Sequence, residues 1–451
     1  MRRLLAAVLL TAGCASTADL PPPIEPDAGL RESWAQPLPG NGETLLSLSG
    51  LVDDPRFAAL VDRALEGNPD LIETALRLRE SGVLLAVPEA QRLPQIEAAS
   101  SQARGTEPGG GSSPSSTSSL SLNLSWEVDV WGRLADRLNE AELRHRALEQ
   151  DLQAARNSLA ARTLQAGLRR ILRDRQLGIE RRRLFSLEST LEAVRGRYRS
   201  GLGAVTDWDA SRSELAAAEA EVERLEEEVR RADRDLSLLL GDLALEPKPP
   251  LPERLPKVAP TLAPVPAEVL AARPDVAAAL LRLEAEGAAV RVARKALLPS
   301  FSLTADLALS SQSAADVLRA DPVWSVLGSL AAALIRRRAL HAELNAARLR
   351  DRASTAAYRG VLLDAVVEVE NALGAEHSLS RRLPHLETSL EHAVLSRRSF
   401  EGQFARGLAN ILDLLTAQRI AFDSEVRLLE ARFDLLENRI ELGLVLGLEA
   451  S

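Results

Sequence analysis

The residues of this sequence best equipped for chemistry are three clustered histidines, His377, His385 and His392, and a single cysteine, Cys14. Imidazoles bind metals, but spacings of eight and seven residues match neither an H-E-x-x-H motif nor an i,i+4 ligand pair. They read as helix-surface residues, and no metal is expected. Gly109-Gly110-Gly111 has the composition of a phosphate loop, yet it lies in a Ser/Pro stretch and reads as flexible linker. No nucleophile-elbow pattern surrounds any serine. The acidic run at 226–228 and the basic run at 181–183 read as solvated helix faces. The sequence therefore predicts no catalytic residue, no cofactor and no enzyme.

The thiol of Cys14 points to different chemistry. Met1-Arg2-Arg3 and the short apolar run from Leu4 to Leu10 form a secretory signal, and Thr11-Ala12-Gly13 places small residues directly before the cysteine. This arrangement is similar to a bacterial lipobox, in which cleavage leaves the cysteine acylated as the first mature residue. Several acyl chains, at about 0.8 kcal/mol per buried CH₂, hold a protein at a membrane. Ala15 stands where an Asp would favour retention in the inner membrane. The Pro-rich stretch that follows reads as an extended tether.

Composition narrows the class. The 451 residues carry 55 Lys+Arg against 64 Asp+Glu, a net charge of −9 that argues against nucleic acid as a partner. One Cys and one Met exclude a disulfide scaffold and an iron–sulfur protein. No run approaches the roughly 20 apolar residues of a membrane-spanning helix.

The chain is written twice. Asn68-Pro69-Asp70-Leu71 returns as Arg273-Pro274-Asp275-Val276, and Leu93-Pro94 as Leu298-Pro299, both 205 residues later. The Gly201-Leu202 turn returns as Gly407-Leu408, and Leu240-Gly241 as Leu446-Gly447, both 206 residues later. Two copies of one unit are implied, 51–246 and 267–451, joined by the Pro-rich run 247–266 and preceded by a signal (1–13) and a tether (14–50).

Each copy alternates two periods. Residues 119–131 repeat every second position, with Leu120, Leu122, Leu124, Trp126 and Val128 on one face. Ser121, Asn123, Ser125, Glu127 and Asp129 share the other. The second copy repeats this with Phe301, Leu303 and Leu307 against Ser302, Thr304 and Asp306, and Trp324, Val326, Leu330 and Leu334 mark a further strand. Residues 95–104 form a weaker one. Elsewhere a seven-residue repeat dominates: Leu215, Ala218, Val222, Leu225, Val229, Ala232, Leu236 and Leu239 form a coiled-coil seam, and the same seam follows 206 residues on. Breaks in the longest helices are expected at Gly178 and at Pro384. Four strands of about ten residues, apolar on one face and hydroxyl-rich on the other, have the length and pattern of transmembrane barrel strands. Four cannot close a barrel, so several chains must share one.

On these motifs, and above all on Trp126-Glu127-Val128-Asp129-Val130-Trp131-Gly132-Arg133, the chain resembles the TolC-like outer-membrane efflux proteins, in particular their lipid-anchored branch. The resemblance covers essentially the whole mature chain. It implies a mainly α fold with a small β part: a homotrimer whose four strands per chain form a twelve-stranded transmembrane barrel, continued by a long coiled-coil helical tube with a mixed belt midway. It implies an outer-membrane location in a Gram-negative bacterium, and a passive exit duct for small molecules. The implied partners are a periplasmic adaptor and an inner-membrane pump of the RND type. A type I protein-secretion duct would share this architecture, and a pore-less coiled-coil lipoprotein is a further alternative, disfavoured by the hydroxyl-rich strand face. Under the resemblance that face lines the lumen, and Leu120, Leu122, Leu124, Trp126, Phe301, Leu303, Leu307 and Trp324 face lipid. Gly201, Leu202, Gly407 and Leu408 become periplasmic tip turns, with Leu412, Asp413, Asp207 and Thr416 at the gate; Asp207 and Asp413 also fit plain helix-start chemistry. Two departures stand out. Arg336-Arg337-Arg338 replaces the Gly-Gly pair usual after the last strand, and Thr416 precedes Ala417-Gln418-Arg419 where the family often has Asp.

Overall fold

The computed structural model describes residues 33–35, 47–105, 115–242, 244, 251–258, 269–271, 273–332 and 336–450. Cys14 and the signal lie outside the described residues, as do most of the tether, much of the Pro-rich run and Leu334.

The first repeat opens with α1 (Pro55–Gly67), α2 (Pro69–Leu84) and the short α3 (Ala86–Ala90). Asp54 and Asn68 cap α1 and α2, accepting from Arg56 N and Leu71 N, and a proline follows each cap. Proline suits that first position because its missing N–H would have had no helical partner there. Strands β1 (Gln95–Gly105) and β2 (Ser115–Val128) follow, then the 67-residue α4 (Arg133–Arg199) and the returning α5 (Val205–Leu240). The second repeat supplies α6 (Pro274–Lys295), β3 (Ser300–Ser311), β4 (Val323–Ala331), the 69-residue α7 (Arg337–Ala405) and α8 (Ile411–Val445).

The duplication extends to the turns. Leu202 N donates to Arg197 O and Gly201 N to Tyr198 O, closing α4; Leu408 N to Gln403 O and Gly407 N to Phe404 O close α7 in the same way. The pattern recurs at Asp242 N to Ser237 O and at Leu448 N to Gly443 O. All four turns place a glycine at positive φ, between 67° and 85°. This reversal needs a left-handed residue, which glycine adopts without steric cost.

The expected helix breaks are absent. Gly178 lies inside the continuous α4 and Pro384 inside the continuous α7. Proline forfeits one backbone bond, but some 20 residues of packed helix on its tip side and over 40 on the other hold the axis through it, and tertiary packing outweighs the local penalty. β2 begins four residues before the expected start and ends at Val128, so Asp129 stands outside the strand.

The strands form one antiparallel sheet in the order β1-β2-β3-β4. The central pair, β2 with β3, joins the two repeats. Beneath it the helices follow the same order, α2 on α4, α4 on α6 and α6 on α7; toward the tip the order is α5, α4, α8, α7. Midway, Leu48, Leu51, Val52 and Val258 pack with Leu164, Leu168 and Ile171 of α4 and Phe433 and Ile440 of α8 in the largest core. Short bridges from Ser47 to Glu449 and from Val52 to Val258 tie this belt together. In α5 the expected seam holds: Ala218, Leu225, Ala232 and Leu236 are buried against α4. In the upper half of α4 the buried residues include Ala147 and Leu143, the latter packed with Ala285 and Ala288 of α6.

Candidate functional site

Register decides what the sheet can do. Across β2 and β3, Ser121 faces Ala308, Asn123 faces Asp306, Ser125 faces Thr304 and Glu127 faces Ser302. Leu122 faces Leu307, Trp126 faces Leu303 and Val128 faces Phe301. Because successive side chains alternate in direction, each row lies on one face. The outer strands continue both rows: Glu97 opposite Asn123 and Ser325 opposite Asp306, Ile96 opposite Leu124 and Trp324 opposite Leu307. The structure thus gathers Ser121, Asn123, Ser125, Glu127, Ser302, Thr304 and Asp306 on one face, and the eight expected apolar residues on the other.

The polar face is laced with hydroxyls. Ser302 and Ser329 Oγ atoms lie 2.6 Å apart, those of Ser101 and Ser119 2.8 Å apart, and Ser325 Oγ donates to Asp306 Oδ2 at 3.3 Å. Val323 and Leu327 of β4 share this polar face, a local exception. The apolar face exposes Trp324 by 72% and Leu330 by 62%, far more than a sheet in water leaves bare. Between Leu120 and Val128 it runs about 26 Å along the strand, close to the apolar band of an outer-membrane barrel.

Asp129 has a different task from the expected lumen position. Its Oδ2 accepts from Ala135 N at 2.9 Å and caps the start of α4. Glu127 accepts from Arg133 Nη2 at 2.7 and 2.8 Å, pinning strand to helix. The sequence reading missed two indole contacts at the same level. Trp126 Nε1 donates to Arg92 O at 2.9 Å and Trp131 Nε1 to Pro299 O at 2.7 Å. Each indole holds one of the duplicated Leu-Pro corners, and the recurrence of Leu-Pro beside the Trp-rich run was the available signal. Behind them Lys295 Nζ lies 2.6 Å from Asp136 Oδ2 and donates to Gly132 O at 3.1 Å. Burial opposes charge on Asp136, but Lys295 and Arg291 hold its carboxyl below the usual range.

At the far end the two tip turns meet. Leu187, Val194, Ala218, Phe404, Ile411, Leu414 and Leu415 form one core under them, and the Arg197 guanidinium lies 5.0 Å from the Phe404 ring centroid. The two expected gate carboxylates are not equivalent. Asn410 caps α8, its Oδ1 accepting from Asp413 N at 2.9 Å, so the Asp413 carboxylate is spared that duty. Ala204 occupies the corresponding place in the first repeat and cannot cap. There Asp207 reaches back to accept from Ala204 N at 3.4 Å. Leu412 is 61% exposed beside Asp413, and Thr416 and Arg419 continue the same exposed stripe. Arg406 is turned to Gly402 O and Arg419 to Asp423, so neither pairs with Asp413.

One buried ionisable group lies above the tip. Glu180 of α4 is only 6% exposed, with Arg183 at 3.7 Å as its ion-pair partner. Burial pushes its carboxyl up; Arg183 opposes the shift while Glu221 of α5 and Asp423 of α8 add to it. The histidines His377, His385 and His392 lie along the exposed side of α7. Among the described residues no three His, Cys, Asp or Glu side chains converge as a metal site.

The sequence model of a family described as Outer membrane efflux protein matches residues 60–242 and 265–448, one stretch in each repeat. The outer membrane protein OprJ of Pseudomonas aeruginosa is 29% identical over 94% of this chain and 90% of its own length. The probable outer membrane lipoprotein SilC of Salmonella typhimurium is 25% identical over 98% of this chain and 97% of its own. Among solved structures, the open-state MtrE outer membrane channel of Neisseria gonorrhoeae is similar with a TM-score of 0.84 and 25% identity, covering 95% of this chain and 98% of its own.

Proposed function

Because the chain belongs to the outer membrane efflux proteins, the outer-membrane channels of efflux pumps, we propose that it builds its duct from three copies joined edge to edge. The observation that carries this is the state of its two flanks. Among the described residues β1 and β4 each pair on one side only. The helices continue those edges: α2 exposes Ile72, Leu76 and Val83, and α7 exposes Leu349, Leu363 and Val367. An unpaired strand edge cannot be left in lipid, so β4 and α7 of one copy meet β1, α2 and α5 of the next until the ring closes. Three copies of four strands give a twelve-stranded barrel, with the hydroxyl-rich row lining the lumen and the Leu/Trp row facing lipid.

The duct is passive and does no catalysis. It conducts small molecules received from an inner-membrane pump of the RND type through a periplasmic adaptor. Cys14 carries the lipid that adds a second attachment; intact mass of the mature protein, with Cys14→Ser as reference, tests this, and an unmodified mass overturns it. Leu412 and Asp413 narrow the resting aperture at the tip, with Thr416 next in line. Asp207 serves its own helix.

Native mass spectrometry of the detergent-extracted protein tests the assembly. A three-chain species resistant to mild denaturant is expected. A stable folded monomer overturns the reading.

A further inference from the structure

Two exposed helix faces remain unexplained near the tip, and both lie on the open flanks. α5 buries Ala218, Leu225 and Ala232 against α4; half a turn round the helix, Ala216, Ala220, Glu223, Glu227 and Arg234 are exposed. α7 buries Leu379, Ala393 and Phe404, and on its far side Arg381, His385, Thr388, His392 and Leu395 are exposed. The second set steps by four and three residues, the spacing of a coiled-coil seam that wants a partner helix. Within the chain α5 packs chiefly on α4, and α7 on α6 and α8, so the two seams face opposite ways around the ring.

Their heights match. At ~1.5 Å per residue, His385 stands about 30 Å above the tip end of α7, and Glu223 and Glu227 about 27 and 33 Å above the tip end of α5. At the lower level His392 and Leu395 fall opposite the small Ala216 and Ala220. The signs are complementary at the upper level: Arg381 and His385 on one seam, Glu223 and Glu227 on the other.

We propose that the seam partner is a second copy of this chain, and that His385 of one protomer sits between Glu223 and Glu227 of the next as a proton-sensitive latch on the lower tube. This rests on the three-copy reading above. The surroundings set the sign. On its own protomer His385 has Arg381 and Arg382 one turn above and Glu387 nearby, the last held by Arg432 of α8 at 2.7 Å. Across the seam Glu227 is held by Arg230 and Arg234 of its own helix, while Arg224 is engaged with Glu221. Glu223 feels Arg230 of its own helix but has no ion pair among the described residues, and it answers the imidazole. A protonated imidazole at His385 carries a charge that Glu223 answers and a neutral one does not, so proton uptake tightens the seam and proton loss loosens it. The tube wall near the aperture is then held more firmly closed when the periplasm turns acid.

Two measurements test this in the full chain with Cys14→Ser. With His385→Cys and Glu223→Cys introduced together, mild oxidation should give dimer and trimer bands that reductant removes. Trimers by native mass without such bands overturn the latch and leave the three-copy reading standing; monomers by native mass overturn that reading itself. Separately, trimer dissociation in denaturant should be slower at pH 5.5 than at pH 7.5, and His385→Gln should shrink that ratio by roughly two- to fivefold, the scale of exposed ion pairs. Glu223→Gln should shrink it equally, and the double variant no further. An undiminished ratio in either single variant overturns the proton sensitivity.

Discussion

Trp131 donates its indole N–H to the carbonyl oxygen of Pro299, 168 residues further along the chain, at 2.7 Å. The bond crosses from the end of the first repeat's strand pair to the start of the second's, and Trp126 makes the matching bond to Arg92 O within the first. Both corners carry a helix into its strand. Trp131→Phe keeps the ring and removes the donor, and should cost about 1 kcal/mol per chain. Trp126→Phe should cost a similar amount, and the two should add because they hold different corners. Denaturant midpoints followed by the β signal of circular dichroism check this.

Glycine substitutions should separate turn from rod. A Cβ on Gly67 would stand 2.6 Å from Leu240 O, and one on Gly241 would overlap the Gly67 carbonyl at a φ of 67°. Gly241→Ala should therefore be severely destabilising or fail to assemble. Gly178→Ala meets nothing within 4 Å inside a continuous helix and should stabilise by up to about 1 kcal/mol. Thermal unfolding of the two variants side by side gives the answer.

Glu180 gives a pH prediction. Its folded-state carboxyl is pushed up chiefly by burial, so its charged form opposes folding above that raised value. The penalty fades as the pH falls through it and is gone below the ordinary carboxylate range. Glu180→Gln should stabilise the protein at pH 7.5 by ~1 kcal/mol, with the advantage closing at pH 4.5. Guanidinium unfolding at the two pH values decides; a destabilised variant at pH 7.5 would show that the Arg183 pair outweighs burial.

The tip should respond unequally to matching changes. Leu412→Ala combined with Asp413→Ala should raise conductance in planar bilayers and weaken cation preference. Asp207→Ala should leave selectivity near wild type and lower stability by about 1 kcal/mol, because it removes an acceptor at the start of α5. Equal effects on selectivity would return Asp207 to the gate.

Legibility followed periodicity. The strand faces could be read because a period of two assigns every residue from Leu120 to Val128 to one side, and β2 and β3 keep that assignment, while Val323 and Leu327 of β4 depart from it. The duplication could be read because glycine and proline at turns and helix starts answer to backbone geometry, whatever the neighbours. Pro384 misled for the opposite reason: its local penalty is visible in the sequence, whereas the long packed helix that absorbs it is a property of the whole. Asp129 fits the strand alternation and still leaves it, since a helix start four residues on competes for its carboxylate. The inequality of Asp207 and Asp413 was present in the sequence, as Ala204 against Asn410, but only as a difference between copies.

The continuity of α4 through Gly178 fixes how the tip can move. A rod without a joint cannot bend locally; it must swing about whatever grips it, and the grip is the belt core around Leu168. From Leu168 to Arg199 the arm is 31 residues, about 46 Å at the α-helical rise. A swing of roughly 5° about that fulcrum carries the tip sideways by some 4 Å on this rise, the width of a side chain. The belt therefore acts with leverage on the tip, and a substitution there can be felt at Leu412 without touching it.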